Sequence, residues 1–209
     1  MPLSDPAEGR RRPRQQRSQE TVAVILEATA QVLTEQGYAR ASTNRIAKRA
    51  GVSVGSIYQY FGGKDALIVA LAERHALEMI GVVGQLLQDL ADLPVAQVVH
   101  QAVEAMIAAH RVNPELHQVL MTQCPDVVEL PTVQALEQGF LELVQGVMAE
   151  RSHELRPDLD PEIAAWLLTR SGEAVTHAVV RERPDWVQDP RFVAEVTNML
   201  VRYISLTPD

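Results

Sequence analysis

Between Ser42 and Lys64 the chain reads S-T-N-R-I-A-K-R-A-G-V-S-V-G-S-I-Y-Q-Y-F-G-G-K, a set of residue types suited to gripping a duplex. Gln59 can pair bidentately with adenine, and the Ser56 hydroxyl can bond several base edges. The Tyr58 ring suits a thymine methyl, and the Tyr60 hydroxyl suits a phosphate oxygen. Val54 and Gly55 are small enough for close approach. Lys64 adds a cation at a helix start, where the local dipole also favours phosphate. Thr43, Asn44 and Arg45 open the preceding helix and are placed for the backbone on one side of a groove. Arg45 can alternatively reach a base.

Two short helices must carry these groups. Ser42 is expected to cap a helix over 43–50 that Gly51 closes, and Ser53 a second over 54–60. Gly62 and Gly63 then break the chain before a long helix beginning near Lys64. Ile46, Ala47, Ala50, Val52 and Ile57 supply the small apolar joint between the two, and Gly51 tolerates the positive φ such a turn needs. That is the recipe for a helix-turn-helix, whose second helix enters the major groove. Periodicity alone leaves a rival open, a plain helical hairpin in which Tyr58, Tyr60 and Phe61 are only core.

The flanking sequence is helical throughout. Val22, Ile25, Leu26, Thr29, Val32 and Leu33 follow i, i+3, i+4, i+7 spacing, with Gly37 as the stop. Further helices follow Pro94, Asn113-Pro114, Pro131, Pro161 and Pro190, and the spans 161–182 and 190–205 are the clearest of these. The fold class is all-α, with about nine helices and no internal repeat. Three parts are expected: a disordered basic arm over 1–17, a helix-turn-helix DNA-binding domain over 18–63, and a helical body over 64–209. The arm holds Arg10, Arg11, Arg12, Arg14 and Arg17, which suit either a narrow minor groove or a solubilising tail.

Composition narrows the classes. The 209 residues carry a net charge of -8, and 46% are apolar. Residues 1–64 hold ten basic and five acidic side chains, whereas 65–209 hold nine and 22, so only the first part suits a polyanion. The single cysteine, Cys124, excludes an internal disulfide and a Cys-rich zinc module. Neither a signal peptide nor a membrane span is visible, so a soluble, cytoplasmic protein is expected. No phosphate-binding glycine loop or recognisable nucleophile motif supports an enzyme. The six histidines show no metal spacing, His110 and His117 being seven apart. No catalytic residue, cofactor or metal is therefore expected. A helical scaffold whose helix-turn-helix touches only protein is the remaining competitor.

Residues 18–71 closely resemble the DNA-binding domain of the TetR/AcrR family of transcriptional regulators. The resemblance rests on I-L-E-A-T at 25–29, G-Y at 37–38, S-T-N-R-I-A at 42–47, A-G-V-S-V-G-S-I-Y-Q-Y-F at 50–61 and K-D-A-L at 64–67. It implies that Ser42 caps the second helix, that Tyr58, Gln59 and Tyr60 lie on the recognition helix, and that Lys64 contacts phosphate. Val54 stands where the family often has lysine, and Gly62-Gly63 replaces a common proline-asparagine pair. Both departures bear on which operator is read.

The resemblance further implies a homodimer whose C-terminal helices bind a small effector of unknown identity. Met106, Met121, Phe140 and Trp166 are adaptable or aromatic residues suited to an apolar pocket, and His177 is a candidate polar fixture. Plain core, or for Glu173 and His177 a solvent-facing ion cluster, explains the same pattern. For pairing, Ala165, Leu168, Gly172, Val175 and Val179 on one helix and Phe192, Val196 and Met199 on the last are the candidates, with intramolecular core as the alternative. The expected function is a sequence-specific repressor, released from a palindromic DNA operator by its effector.

Overall fold

The computed structural model describes residues 6–87, 90 and 93–205, with side chains from residue 16 onward except that of Pro125. Among the described residues the chain forms nine α-helices: α1 (Pro6–Gln36), α2 (Thr43–Ala50), α3 (Val54–Tyr60), α4 (Lys64–Leu86), α5 (Val95–His110), α6 (Pro114–Gln123), α7 (Pro131–Glu150), α8 (Pro161–Glu182) and α9 (Pro190–Ile204). Single 3-10 turns follow α1, α6 and α7. The only β pairing among the described residues is an isolated bridge between Leu155 and Ser205.

Local chemistry accounts for the helix ends. Asp160 and Asp189 accept backbone N–H bonds from Ile163 and Arg191, and a proline follows each cap at the first helical position. There proline sets a helical φ without sacrificing a needed donor. One start departs from expectation: α1 begins at Pro6, so residues 6–17, expected as a disordered arm, are helical. Arginine and glutamine are good helix formers. Gln16 donates to Glu20 at 3.2 Å and Thr21 to the Arg17 carbonyl at 2.8 Å, tying this turn to the next. Residues 1–5 of the arm lie outside the described residues.

The chain divides into two compact units, and the division differs from the expected boundary at 63/64. Unit 1 comprises residues 1–73 together with Val119–Val127, and unit 2 comprises Arg74–Gln118 and the remainder. Helices α4 and α6 each contribute to both. In unit 1, Ile25 and Leu33 of α1, Ile46 of α2, Ile57 of α3, Leu67 and Leu71 of α4 and Leu120 of α6 are fully buried. In unit 2 the core joins Val103 and Ile107 of α5, Met148 of α7, Ala164, Ala165 and Leu168 of α8, and Val196, Leu200 and Ile204 of α9. The buried Arg151 guanidinium donates to the Leu93 carbonyl at 3.0 Å, and Glu154 accepts from the Val95 amide at 2.8 Å. These bonds fix the approach to α5 on the end of α7.

Candidate nucleic-acid interface and effector chamber

The α2–turn–α3 segment is built by two side-chain caps and one left-handed residue. The Ser42 hydroxyl accepts from the Arg45 amide, and the Ser53 hydroxyl accepts from the Ser56 amide at 3.0 Å. Gly51 closes α2 at φ 68°, a conformation that disfavours a Cβ. Ile46, Ala47 and Ile57 are buried and lock the two helices together. That settles the orientation of α3. With Ile57 facing inward at 0% exposure, Tyr58 stands 57% exposed and Gln59 is exposed beside it. The plain hairpin, in which Tyr58 would be core, does not match this placement. Tyr60 and Phe61 are half-buried.

The remaining groups of the segment differ in how free they are. Val54 and Ser56 are half-buried and Gly55 exposed, and the Ser56 hydroxyl lies 2.8 Å from that of Ser53. On α2, Asn44 and Arg45 are exposed and Thr43 half-buried. Arg45 turns back within unit 1, donating to Gln36 Oε1 at 3.0 Å and to the Arg40 carbonyl. Lys64 is also engaged: Nζ donates to the Tyr38 carbonyl at 3.3 Å and sits 3.7 Å from the centre of the Tyr38 ring. The Tyr38 hydroxyl in turn donates to Asp65 at 3.0 Å, and this hydrogen bond raises its pKa above the usual phenol value. The Lys64 ammonium is thus already held by the Tyr38 carbonyl and ring.

Sequence reasoning passed over two features of this face. Arg49 makes a bidentate pair with Glu35 and reaches Gln31 at 3.1 Å, fastening α2 to α1. That hydrogen bonding lowers the Glu35 pKa and raises that of Arg49. Tyr38 itself links three points, since its amide also donates to Gln123 Oε1 at 3.1 Å. The G-Y pair at 37–38 was a signal for the turn, but not for these partners. Cys124 is buried, and burial pushes its thiol pKa up, which makes it a poor nucleophile.

Unit 2 contains an apolar chamber between α5, α7, α8 and α9. Its unfilled space is ≈ 640 Å³, open solvent at the mouth included. Val99, Met106, Phe140, Val144, Met148, Leu168, Gly172 and Leu200 are among the lining residues, and none of the lining side chains is charged. Two of the expected pocket residues, Met106 and Phe140, line it. Met121 belongs to unit 1, and Trp166 is 53% exposed on the outer face of α8, so neither does. His177 is half-buried and lies instead against His117, their Nε2 atoms 3.1 Å apart.

The residues expected at a dimer interface separate into two groups. Ala165, Leu168, Gly172, Val179 and Val196 are buried within the chain, and Gly172 sits where an added Cβ would meet Met106 Sδ at 3.4 Å. This corrects their expected placement, because intramolecular packing already uses the small-residue stripe of α8. Val175 and Phe192 are half-buried, and Met199 is 49% exposed beside them in a surface groove. On α8 the outward stripe is Ile163, Trp166 and Leu167, followed by Arg170, which bridges Glu173 at 2.7 Å and Glu137 at 2.9 Å.

Two capped helices around a left-handed glycine, with Ile57 inward and Tyr58 outward, define a helix-turn-helix protein with a further helical body. Residues 25–71 match the family model for bacterial regulatory proteins of the tetR family, and residues 94–204 match that for the tetracyclin repressor-like C-terminal domain. The chain belongs to the TetR family of bacterial regulatory proteins. An uncharacterized HTH-type transcriptional regulator of Mycobacterium tuberculosis is 48% identical over 61 residues, 29% of this chain and 31% of that one. This chain thus spans only about a third of that relative. The fatty acid metabolism regulator protein of Bacillus subtilis is 24% identical over 164 residues, 76% of this chain and 84% of that one. The same fold occurs in FadR from Bacillus subtilis in complex with stearoyl-CoA (TM-score 0.68, 20% identity, 86% of this chain and 97% of that one). It also occurs in the SmeT–triclosan complex from Stenotrophomonas maltophilia (TM-score 0.69, 22% identity, 90% and 93%). Among the described residues, no helix is long and apolar enough to cross a membrane.

Proposed function

We propose that this regulator is a cytoplasmic homodimeric repressor, released from a palindromic operator by a slender apolar effector held in the unit 2 chamber. The observation that carries this reading is the uncharged lining between α5, α7, α8 and α9. Desolvating a polar head there would cost several kcal/mol without a partner, on the order of 2–7. An alkyl chain incurs no such penalty. The chamber is narrow, so a broad ring system requires side chains to move, and Met106 and Met148 are the flexible ones. The names of similar proteins agree: one is a fatty acid metabolism regulator, and another is solved with stearoyl-CoA.

On the DNA side, Tyr58 and Gln59 supply the groove-facing contacts, Val54, Gly55 and Ser56 allow close approach, and Ser42, Thr43, Asn44, Tyr60 and Lys64 position the phosphates. Arg45 joins them by exchanging its Gln36 and Arg40 partners for DNA. Two half-sites lie about 34–36 Å apart on duplex DNA, so two heads are needed for specificity. The exposed stripe Ile163, Trp166 and Leu167 on α8, and Met199 on α9, are apolar surface on the last two helices suited to pairing two copies. The effector must favour the DNA-incompetent state, because equal affinity for both states shifts nothing.

Selection of bound sequences from random DNA, followed by competition with long-chain acyl thioesters, free fatty acids and triclosan, tests this reading. A palindromic consensus released by acyl chains supports it. Asymmetric or sequence-blind binding, or release by none of these compounds, overturns it.

A further inference from the structure

Four histidines far apart in sequence meet inside unit 2. His110 ends α5, His117 lies in α6, His177 in α8 and His75 in α4. The rings of His110, His117 and His177 are mutually in contact, with centroids 4.7, 4.7 and 5.0 Å apart. One ring nitrogen from each lies within 4.8 Å of the other two. No sequence motif foreshadows this, because α5, α6 and α8 contribute one ring apiece.

The hydrogen bonds show which nitrogens are available. His110 Nδ1 is 2.8 Å from the Met106 carbonyl, which only accepts, so Nδ1 carries the proton. In the neutral ring Nε2 is then a bare lone pair. It is buried in a residue only 6% exposed and has no hydrogen-bond partner among the described residues. A protein ordinarily satisfies such an atom. His117 Nε2 and His177 Nε2 are 3.1 Å apart, close to the about 3.3 Å edge of a tetrahedron with bonds of about 2.0–2.1 Å. Behind them, His75 Nε2 lies 3.2 Å from His117 Nδ1 and can accept its proton, leaving His117 Nε2 bare as well. A backbone carbonyl behind one ligand and an imidazole behind another match the outer partners that orient metal-binding histidines.

We propose that His110, His117 and His177 form a binding site for a divalent late first-row transition ion, with His75 as the positioning residue for His117. Three converging imidazoles suit Zn²⁺, Cu²⁺, Ni²⁺ or Co²⁺ and disfavour Mg²⁺ and Ca²⁺, which require oxygen. The interval between the nitrogens has the dimensions of one ion and not of an organic group. His110 and His117 are buried and His177 half-buried, and burial disfavours the charged form of an imidazole. Neutral imidazole is the ligating form. Carboxylates of Glu173 and Glu137 act on His177 from the Arg170 cluster, offsetting part of the added positive charge, while Arg181 opposes them. On ligation, the His177 proton between the two Nε2 atoms moves to Nδ1, so no net charge is lost. Three histidines also leave one coordination position for water.

The test uses the full chain, stripped with a chelator and titrated with Zn²⁺ by calorimetry, and with Co²⁺ by visible absorption. The expected result is one Zn²⁺ per chain and intense cobalt bands of tetrahedral type. His177→Gln and His110→Gln should each weaken binding by at least about a hundredfold, and His75→Leu by about ten- to a hundredfold. The surface pairs His100–Glu104 and His153–Glu154 serve as controls, and His100→Gln with His153→Gln should leave the site unchanged. Circular dichroism of His177→Gln, at a half-buried position, verifies that the fold survives. Binding that persists in the His177 and His110 variants, binding lost with the surface pair, or no stoichiometric binding overturns the proposal. Neither DNA nor effector enters the titration, so its outcome is separate from that of the operator competition.

Discussion

Gly172 offers a graded test of the chamber. It lies in the middle of α8, buried, at the chamber wall, and an added Cβ would stand 3.4 Å from Met106 Sδ and 3.5 Å from its Cε. Glycine inside a helix costs about 0.8–1 kcal/mol relative to alanine. A contact of that length to a flexible thioether is nearly neutral, so Gly172→Ala should stabilise the protein by about 0.5–1 kcal/mol. For a chain of this size that raises Tm by roughly 1–4 °C. Gly172→Leu has nearly the same helix gain but extends beyond Met106 into the space an acyl chain would occupy. Overpacking then costs about 1–3 kcal/mol. Fluorescence anisotropy on operator DNA, titrated with a long-chain acyl thioester, should show wild-type release for the alanine variant and release weakened at least about tenfold for the leucine variant. DNA affinity without effector should stay unchanged in both. Equal release by the two variants would refute the chamber as the effector site. A loss of stability in Gly172→Ala would refute Met106 as the neighbour that sets the space.

Tyr58→Ala should weaken operator binding and leave Tm unchanged, since the ring is 57% exposed, whereas Ile57→Ala, at 0% exposure, should cost about 2–5 kcal/mol and unfold the head. Lys64→Ala should weaken cognate and random DNA alike and flatten the salt dependence by about 0.9 in log–log slope, and a purely cognate loss would contradict a phosphate role. Trp166→Asp with Leu167→Asp should produce monomers on sedimentation while the fold is kept, and an intact dimer would place the interface elsewhere. In metal-free protein, stability should fall as pH drops below about 6.5. There the unfolded histidines take up protons that His75 and His110, held down to about 4, refuse. Each such group removes on the order of 1 kcal/mol per pH unit. His75→Leu should flatten the slope in thermal melts between pH 6.5 and 5, and an unchanged slope would contradict burial as the cause.

Helix boundaries were legible because their causes are local. Ser42, Gly51 and Ser53 set the ends of α2 and α3, and Pro161 and Pro190 set the starts of α8 and α9. A cap needs only its own turn. The direction of α3 followed from the same stretch once Ile57 was recognised as the inward residue. The start of α1 was misjudged because absence of an apolar face was equated with absence of helix. Arginine-rich turns need no core when a stable helix already follows them.

Partners distant in the chain were not legible. Small residues on α8 permit close packing, but nothing in their spacing says whether the neighbour is Met106 of the same chain or a second copy. The answer depends on how α5 crosses α8. Trp166 has the composition of a pocket residue and stands on the outer face, because the helix turns Ala164, Ala165 and Leu168 inward. Arg45 and Lys64 were assigned by position alone, while their resting partners, Gln36, Arg40 and Tyr38, come from a neighbouring turn. The histidine cluster is the extreme case, with contributors spread from His75 to His177. Capping, helical period and charge are short-range properties, so one strand of text holds them; the convergence of imidazoles and the hollow among α5, α7, α8 and α9 arise only when helices pack, since packing alone decides which faces meet.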